Sequence, residues 1–257
     1  MTIATRTDTT VAATVTQTSL VNALITAFTS AGFSTAIDNY TVSTDRILVY
    51  KVDVDSTKTF GSNFLRIRIT SALQVFQQVM TGWNVTTKVA TNASTEVSMG
   101  IFVTTTSIQF VALSAGLEGK FVACTQGTLF MLLGLLVPSE RPTWWDLNSW
   151  SWGFIFISTT LLALRSSARF PYSSSEYEFL SSVRIANFNP QTNRRDVLSG
   201  NVLLTSGNAG IAGKTSRDIG LACGSGSARY DTFSFPPDTK QYLLINNTAS
   251  GLAMRIQ

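Results

Sequence analysis

Two neighbouring stretches of alternating residues constrain the fold of this 257-residue chain more than any other feature. In RILVYKVDVD (residues 46–55) apolar residues alternate with charged ones, and FLRIRIT (residues 64–70) repeats the pattern. A period of two is typical of a strand with one buried face. The turn-forming TKTFGSN lies between the two stretches and predicts a β-hairpin.

The charged residues of this hairpin form the densest charge cluster in the sequence. Asp53 and Asp55 lie on the first strand, whereas Arg66 and Arg68 lie on the second. We expect these residues to pair across the strands, with about 0.2–1 kcal/mol from each pair. The same four residues are candidates for a subunit contact.

Residues 18–33 are the clearest helix. One apolar stripe is formed by Leu20, Leu24, Phe28 and Ala31. Thr18 or Ser19 is expected to cap the start, and Gly32 is expected to end the helix.

Other segments give weaker patterns. Residues 72–84 fit either a short helix or a strand, and residues 98–126 predict two or three strands. The uniformly apolar run at 128–138 fits a buried helix or a strand covered on both faces. Residues 153–164 predict one further strand.

These elements predict an α+β, β-rich fold, with the N-terminal helix packed on a mostly antiparallel sheet and a Gly/Asn-rich, all-β C-terminal part. Residues 1–17 are expected to be a flexible or subunit-bridging arm. A Ser-rich seam at 165–179 separates an α+β core (18–165) from a β-rich C-terminal domain or extension (181–257).

A tryptophan cluster lies in the core at residues 142–158. It contains Trp144, Trp145, Trp150 and Trp152 around Asp146. The cluster fits a buried apolar plug, an anchor between subunits, or a carbohydrate platform with one carboxylate.

Several classes of chemistry are disfavoured. The chain has no histidine, so Ser-His-Asp and Cys-His catalysis are excluded. Cys124 and Cys223 are 99 residues apart, lack metal-ligand spacing and are expected to be buried thiols. The partial phosphate-loop pattern at 208–216 lacks its first glycine and a following helix former, so a glycine-rich turn is favoured. We therefore expect no enzyme activity, no cofactor and no metal. No apolar run reaches the length of a membrane-spanning helix.

Charge and polarity point towards assembly. Only 13% of the residues are charged, which weakens the repulsion that keeps proteins monomeric. Residues 184–257 carry eight basic and four acidic residues, which accounts for the net charge of +4. A basic face of Arg194, Arg195, Lys214 and Arg217 is expected to meet an acidic neighbour or, transiently, DNA.

The layout resembles a class of virion proteins. SLVNALITAFTSAGF (19–33) followed by the hairpin ILVYKVDVDSTKTFGSNFLRIRIT (47–70) is similar to neck and tail-end ring subunits of tailed bacteriophages, such as tail terminators. The resemblance implies that the helix packs on a sheet and that the hairpin meets the neighbouring subunit. It implies a virion location after assembly in the host cytoplasm, with copies of the chain and other virion proteins as partners.

The leading hypothesis is thus a non-enzymatic phage structural protein of the neck, tail or baseplate that assembles as a homo-oligomeric ring. One alternative is a capsid decoration, or cement, protein. Another is a carbohydrate-binding or carbohydrate-cleaving module centred on Asp146 and its tryptophans.

Overall fold

A computed structural model describes residues 3–53, 62–114, 119–136, 152–157, 160–165, 177–180, 190–191, 193, 195–200, 202–204, 211–234, 239–247 and 251–257. Within these ranges the helix α1 spans Gln17–Ser30. The strands in chain order are β1 (Thr5–Val11), β2 (Asp38–Val42), β3 (Asp45–Asp53), β4 (Ser62–Ile69), β5 (Gln74–Met80), β6 (Gly82–Asn84), β7 (Val89–Thr91), β8 (Val97–Ile101), β9 (Ile108–Ser114), β10 (Gly119–Gln126), β11 (Leu129–Leu136), β12 (Trp152–Ile157), β13 (Thr160–Arg165), β14 (Tyr177–Leu180), β15 (Val197–Ser199), β16 (Val202–Leu204), β17 (Ile211–Lys214), β18 (Ile219–Ala222), β19 (Thr232–Ser234), β20 (Gln241–Leu244) and β21 (Gly251–Arg255).

The strands form three sheets and a two-stranded ribbon. The large sheet has the order β1-β9-β10-β11-β12-β13-β14-β16-β17, and the hairpin sheet has the order β2-β3-β4-β5-β8. The C-terminal sheet has the order β15-β18-β21-β20-β19, and β6 pairs with β7 in the ribbon. Neighbouring strands in the hairpin sheet are all antiparallel. The predicted β-rich fold with one helix on antiparallel sheets is therefore confirmed.

The helix is defined by its two ends. Thr16 is the N-cap: its Oγ1 accepts a hydrogen bond from the Ser19 N–H at 3.1 Å, and the Ser19 hydroxyl accepts one from the Thr16 N–H at 2.9 Å. The cap is thus Thr16 rather than Thr18 or Ser19, because Ser19 is the reciprocal partner in this capping box. Gly32 follows the C-cap with a φ of +83°, as a residue that ends a helix should.

The main core lies between α1, the inner face of the hairpin sheet and the large sheet. Phe28 of α1 packs on Phe33 and on Tyr50 of β3, with ring centroids 5.0 and 4.7 Å apart. Large-sheet members of the same cluster are Ile108, Phe110, Ala112, Val122, Cys124, Met131, Leu133 and Leu135. Burial of this apolar surface is the dominant stabilising term in such a layered arrangement.

The predicted hairpin is confirmed as β3 and β4. Leu48 pairs with Ile67, and Tyr50 pairs with Leu65. Residues directly opposite each other share a face of the sheet. The apolar residues of the alternating pattern therefore point together into the core, where all four are at most 1% exposed.

The two segments whose patterns fitted either a helix or a strand form three strands. Residues 74–80 and 82–84 form β5 and β6, and the apolar run gives the strand β11. The single strand expected at 153–164 is wrong, because β12 and β13 are two antiparallel strands in which Ile157 pairs with Thr160. The polar residues Ser158, Thr159 and Thr160 separate two apolar stretches of the sequence, and the single-strand prediction overlooked this break.

The N-terminal residues belong to the chain's own large sheet. β1 pairs with β9 over its whole length, from Thr5 opposite Ser114 to Val11 opposite Ile108. Residues 5–11 are therefore an edge strand rather than a flexible arm, and a bridging role between subunits stays a prediction. The large sheet also contains β14, β16 and β17, so it continues beyond the seam proposed at residues 165–179.

The C-terminal part docks on the large sheet through specific contacts. The Tyr230 hydroxyl lies 2.7 Å from the hydroxyl of Thr125 on β10. The Arg229 guanidinium lies 5.0 Å from the ring centroid of Phe130 on β11, and the Ala4 N–H donates to the Arg255 carbonyl. These contacts join the C-terminal residues to the strands β10 and β11 and to the N-terminal segment before β1.

Two further predictions concern Lys214 and the cysteines. Residues 211–214 of the partial phosphate-loop pattern form the strand β17, so a glycine-rich turn is wrong for these residues. The chain then passes from Lys214 to β18 with no helix, which does not fit a phosphate-binding loop. Cys124 and Cys223 are both fully buried and are not joined in a disulfide, as expected.

Candidate functional site: the open edges and outer face of the hairpin sheet

Most of the tryptophan cluster lies outside the described residues, namely Trp144, Trp145, Asp146 and Trp150. The same is true of Asp55 and Arg194. Trp152 begins β12, where it pairs with Arg165 in backbone register. The choice between core, interface and carbohydrate platform therefore stays a prediction.

The two hairpin arginines have different partners from those expected. Asp53 is opposite Ser62, whereas Arg66 is opposite Val49, which is four residues and about 13 Å further along the strand. Both arginines instead bind Glu96: Arg66 Nη1 donates to Glu96 Oε1 at 2.9 Å, and Arg68 Nε donates to Glu96 Oε2 at 2.9 Å. The predicted pairing with Asp53 is wrong because the register carries Asp53 too far along β3.

Arg68 is the centre of this charge network. It also donates to Asp45 Oδ2 at 2.8 Å, and its guanidinium stacks 3.8 Å from the ring centroid of Phe76. The hydrogen bond to Glu96 is the main cause that raises the pKa of Arg68 above its ordinary value, and Asp45 adds to it. The network uses both arginines to fix the chain segment after the ribbon onto the outer face of the sheet.

A second polar cluster anchors the ribbon, and sequence reasoning did not find it. The indole Nε1 of Trp83 donates to Asp38 Oδ2 at 2.9 Å, and Lys88 Nζ lies 2.7 Å from both carboxylate oxygens. The Lys88 ammonium also lies 4.4 Å from the ring centroid of Tyr40, which stacks on Trp83. We call these four residues the ribbon clasp. The sequence did contain a signal for this cluster. Trp83 is the only aromatic residue in the turn-rich TGWNVTT, and the large ring of a tryptophan is expected to pack against a partner.

The ribbon clasp and the arginine network together cover the outer face of the hairpin sheet. Ile47 and Val49 point to this face, since they lie opposite Arg68 and Arg66, and yet both are fully buried. Asn84 shapes the ribbon turn by accepting hydrogen bonds from the N–H groups of Thr86 and Thr87. Within each cluster the charged groups bind one another. This pairing is typical of residues that stabilise a fold.

Exposed large apolar side chains collect at strand edges. Among the described residues, four of the seven lie on edge strands: Val42 on β2, Ile101 on β8, Val89 on β7 and Leu198 on β15. The other three are Ile3, Val85 and Val103, which flank β1, β6 and β8 in the chain. An open edge with exposed apolar side chains is a template for pairing with another strand.

The predicted basic face is only partly available. Arg195 Nε donates to the Cys223 carbonyl at 2.7 Å, and its guanidinium lies 5.5 Å from the Phe233 ring centroid. Lys214 is half-buried at the end of β17, whereas Arg217 is exposed in the following turn. Arg195 therefore acts within the chain, which leaves Arg217 as the exposed member of this set in the described region.

Within the described ranges, no group of three histidine, cysteine or acidic residues could hold a metal ion. The one helix described is too short to cross a membrane. No protein-family model matches the chain, and no curated protein sequence matches it.

Proposed function

We propose that this chain is a non-enzymatic structural subunit of a tailed-phage particle, in the neck, tail or baseplate, and that it assembles with copies of itself into a ring. The observation that carries the proposal is the collection of exposed apolar side chains on strand edges, above all Val42 on the edge strand β2 of the hairpin sheet. Edge strands supply affinity through backbone hydrogen bonds.

The use of charged residues supports the same role. Arg66 and Arg68 hold Glu96, and Lys88 holds Asp38, so these groups stabilise the sheet that carries the proposed contact. A rigid sheet loses little conformational entropy when it binds a neighbour. Low surface charge then lets identical subunits approach each other.

The layout of the first third is a further support. The capped helix lies against the large-sheet strands β1, β9 and β10, and its Phe28 also packs on Tyr50 of the hairpin sheet. The resemblance to neck and tail-end ring subunits implies a helix packed on a sheet, followed by a hairpin such as β3–β4. In the proposal this hairpin sheet meets the neighbouring subunit. The exposed Arg217 is available for an acidic neighbouring virion protein or for DNA.

The test is the solution mass of the purified chain, measured by light scattering on a sizing column at two salt concentrations. We expect a stable multiple of the 27.9 kDa subunit that changes little with salt, because backbone and apolar contacts are not screened. Negative-stain images of the same fraction should show closed rings. A monomer that persists at high concentration would contradict self-assembly.

A further inference from the structure

The edge strands of the two sheets that form the main core differ in how they are protected against pairing with strands of another chain. β1, the described N-terminal edge of the large sheet, carries Arg6 and Asp8, whose side chains bind each other and remain 30% and 43% exposed. Charged edge residues disfavour pairing with other strands. β8, one edge of the hairpin sheet, contains an irregularity: Val75 pairs with Gly100 but Phe76 pairs with Ser98, so Met99 is an extra residue. A bulge of this kind twists an edge away from a partner.

β2, the other edge of the hairpin sheet, has neither protection. Its one charged residue, Asp38, is 7% exposed and is neutralised by Lys88 in the ribbon clasp. Val42 at its end is 53% exposed. Among the described strands, only β3 pairs with β2.

The backbone of β2 presents specific groups at this open edge. A two-residue loop, Ser43–Thr44, joins β2 to β3, so Val42 and Asp45 form the closing pair of the hairpin. Hydrogen-bonded and non-hydrogen-bonded pairs alternate along an antiparallel ladder. Tyr40 therefore bonds to β3, whereas the N–H and C=O groups of Asn39 and Thr41 point outwards.

We infer that the open edge of β2 pairs with β2 of a second copy of this chain, antiparallel and about a twofold axis near Tyr40. The inference rests on the proposed self-assembly and names its contact. In this pairing Asn39 lies opposite Thr41 of the partner subunit, and the two hairpin sheets join into one continuous sheet.

A second copy fits this edge better than a head-to-tail contact between β2 and β8. The five strands of the hairpin sheet alternate in direction, so β2 and β8 run the same way and a β2–β8 contact between copies would be parallel. Parallel pairs are slightly less stable than antiparallel ones. A twofold contact avoids both this cost and the bulge in β8. Because an isologous contact closes at two copies, a larger ring needs a second contact elsewhere.

The experiment compares Thr41→Pro with Thr41→Ala in the full chain. Proline removes the outward N–H group and is tolerated on edge strands, whereas alanine keeps this group. We expect the Thr41→Ala variant to form oligomers of the wild-type mass. The Thr41→Pro variant should dissociate at the β2 contact, with an apparent subunit dissociation constant raised by at least about tenfold. Far-UV circular dichroism reports whether each variant is folded.

A second pair of variants decides the question if the proline variant does not fold. Val42→Glu and Ile101→Glu place the same charge at residues of nearly equal exposure on opposite edges, 53% and 54%. In the proposed register Val42 lies opposite Asp38 of the partner subunit, so a glutamate at this position meets a like charge. We expect Val42→Glu to dissociate the contact and Ile101→Glu to leave it intact. An oligomer that ignores Val42→Glu, or that only Ile101→Glu dissociates, would overturn the β2 contact and leave self-assembly standing. A wild-type monomer would instead overturn self-assembly itself.

Discussion

Trp83 donates a hydrogen bond from its indole Nε1 to Oδ2 of Asp38 across 2.9 Å, although 45 residues separate the two in the chain. Asp38 begins the edge strand β2, whereas Trp83 lies at the centre of β6 in the ribbon. The bond therefore fixes the ribbon to the edge at which we place the subunit contact. Lys88 completes the arrangement, since its ammonium binds both oxygens of the same carboxylate.

Asp38→Ala should destabilise the fold. The substitution leaves the indole N–H of Trp83 and the ammonium of Lys88 without their acceptor, and Lys88 alone is exposed enough to regain water easily. We expect the free energy of unfolding to fall by about 1–3 kcal/mol. Urea unfolding followed by far-UV circular dichroism measures the change.

The control for this prediction is Trp83→Phe, which removes the indole donor but keeps the ion pair of Asp38 with Lys88. Its cost should be smaller, about 0.5–1.5 kcal/mol for one hydrogen bond. If Asp38→Ala proved as stable as the wild type, the ribbon clasp would not hold the ribbon in place.

Removal of the phenolic hydroxyl should change the free energy of unfolding in opposite directions at two buried tyrosines. Tyr50 is 1% exposed, and its hydroxyl has no hydrogen-bond partner among the described residues, whereas the Tyr230 hydroxyl is bonded to Thr125. Tyr50→Phe should raise the free energy of unfolding by about 1 kcal/mol, since a buried polar group without a partner is costly. Tyr230→Phe should lower it by about 1 kcal/mol. Thermal unfolding of both variants gives the two signs, and equal signs would contradict the assignment.

Alkaline pH should destabilise this protein because buried tyrosine and cysteine side chains lose their protons. Burial raises the pKa of Tyr230 from the ordinary 10.0 to about 12. The folded state then keeps a proton that the unfolded state releases, so the contribution of Tyr230 is complete below pH 10 and is lost as the pH rises towards 12. Burial also raises the pKa of Tyr50 and of Cys124, which acts in the same direction.

The measurement is the free energy of unfolding of wild type and Tyr230→Phe at a series of pH values from 9 to 12. The variant should lose less stability over this range, because it lacks one of the groups that titrate. Lys120 acts in the opposite direction: burial lowers its pKa, so its contribution is present above its ordinary value of 10.5 and is lost as the pH falls. Parallel curves for the two proteins would rule out Tyr230 as a source of the alkaline loss.

Local patterns in the sequence predicted the elements that local physics determines. The alternation in residues 46–55 and 64–70 predicted the β3–β4 hairpin, since a period of two fits only a half-buried strand. Gly32 was identified as the helix end because a left-handed residue is needed there. The cap was misplaced because several hydroxyl residues precede the apolar stripe, and Thr16 has the same chemistry as Thr18.

The contacts of the candidate site could not be predicted in the same way. Glu96 binds Arg68 because the segment after the ribbon returns along β5, and that path depends on the register of three strands. Asp38 and Lys88 are 50 residues apart and belong to no shared motif. The N-terminal strand was expected to be an arm because threonine-rich edge strands and disordered arms have similar compositions.

Gly134→Ala should be among the most damaging small substitutions in the described part of the chain. Gly134 lies on β11 with a φ of +149°, and an added Cβ would lie 2.3 Å from the backbone oxygen of Lys120 on the neighbouring strand. Its N–H donates to Gln77 of the hairpin sheet at 2.8 Å, so any shift of the backbone would also disturb the contact between the two sheets. Strain at a positive φ and overpacking together should lower the free energy of unfolding by about 2–5 kcal/mol. The matched control is Gly127→Ala, at a φ of +57° with no atom of the described residues within 4 Å of the added Cβ, which should cost about 1 kcal/mol. Urea unfolding of both variants distinguishes backbone strain alone from strain with a clash, and equal costs would show that β11 can move away from β10.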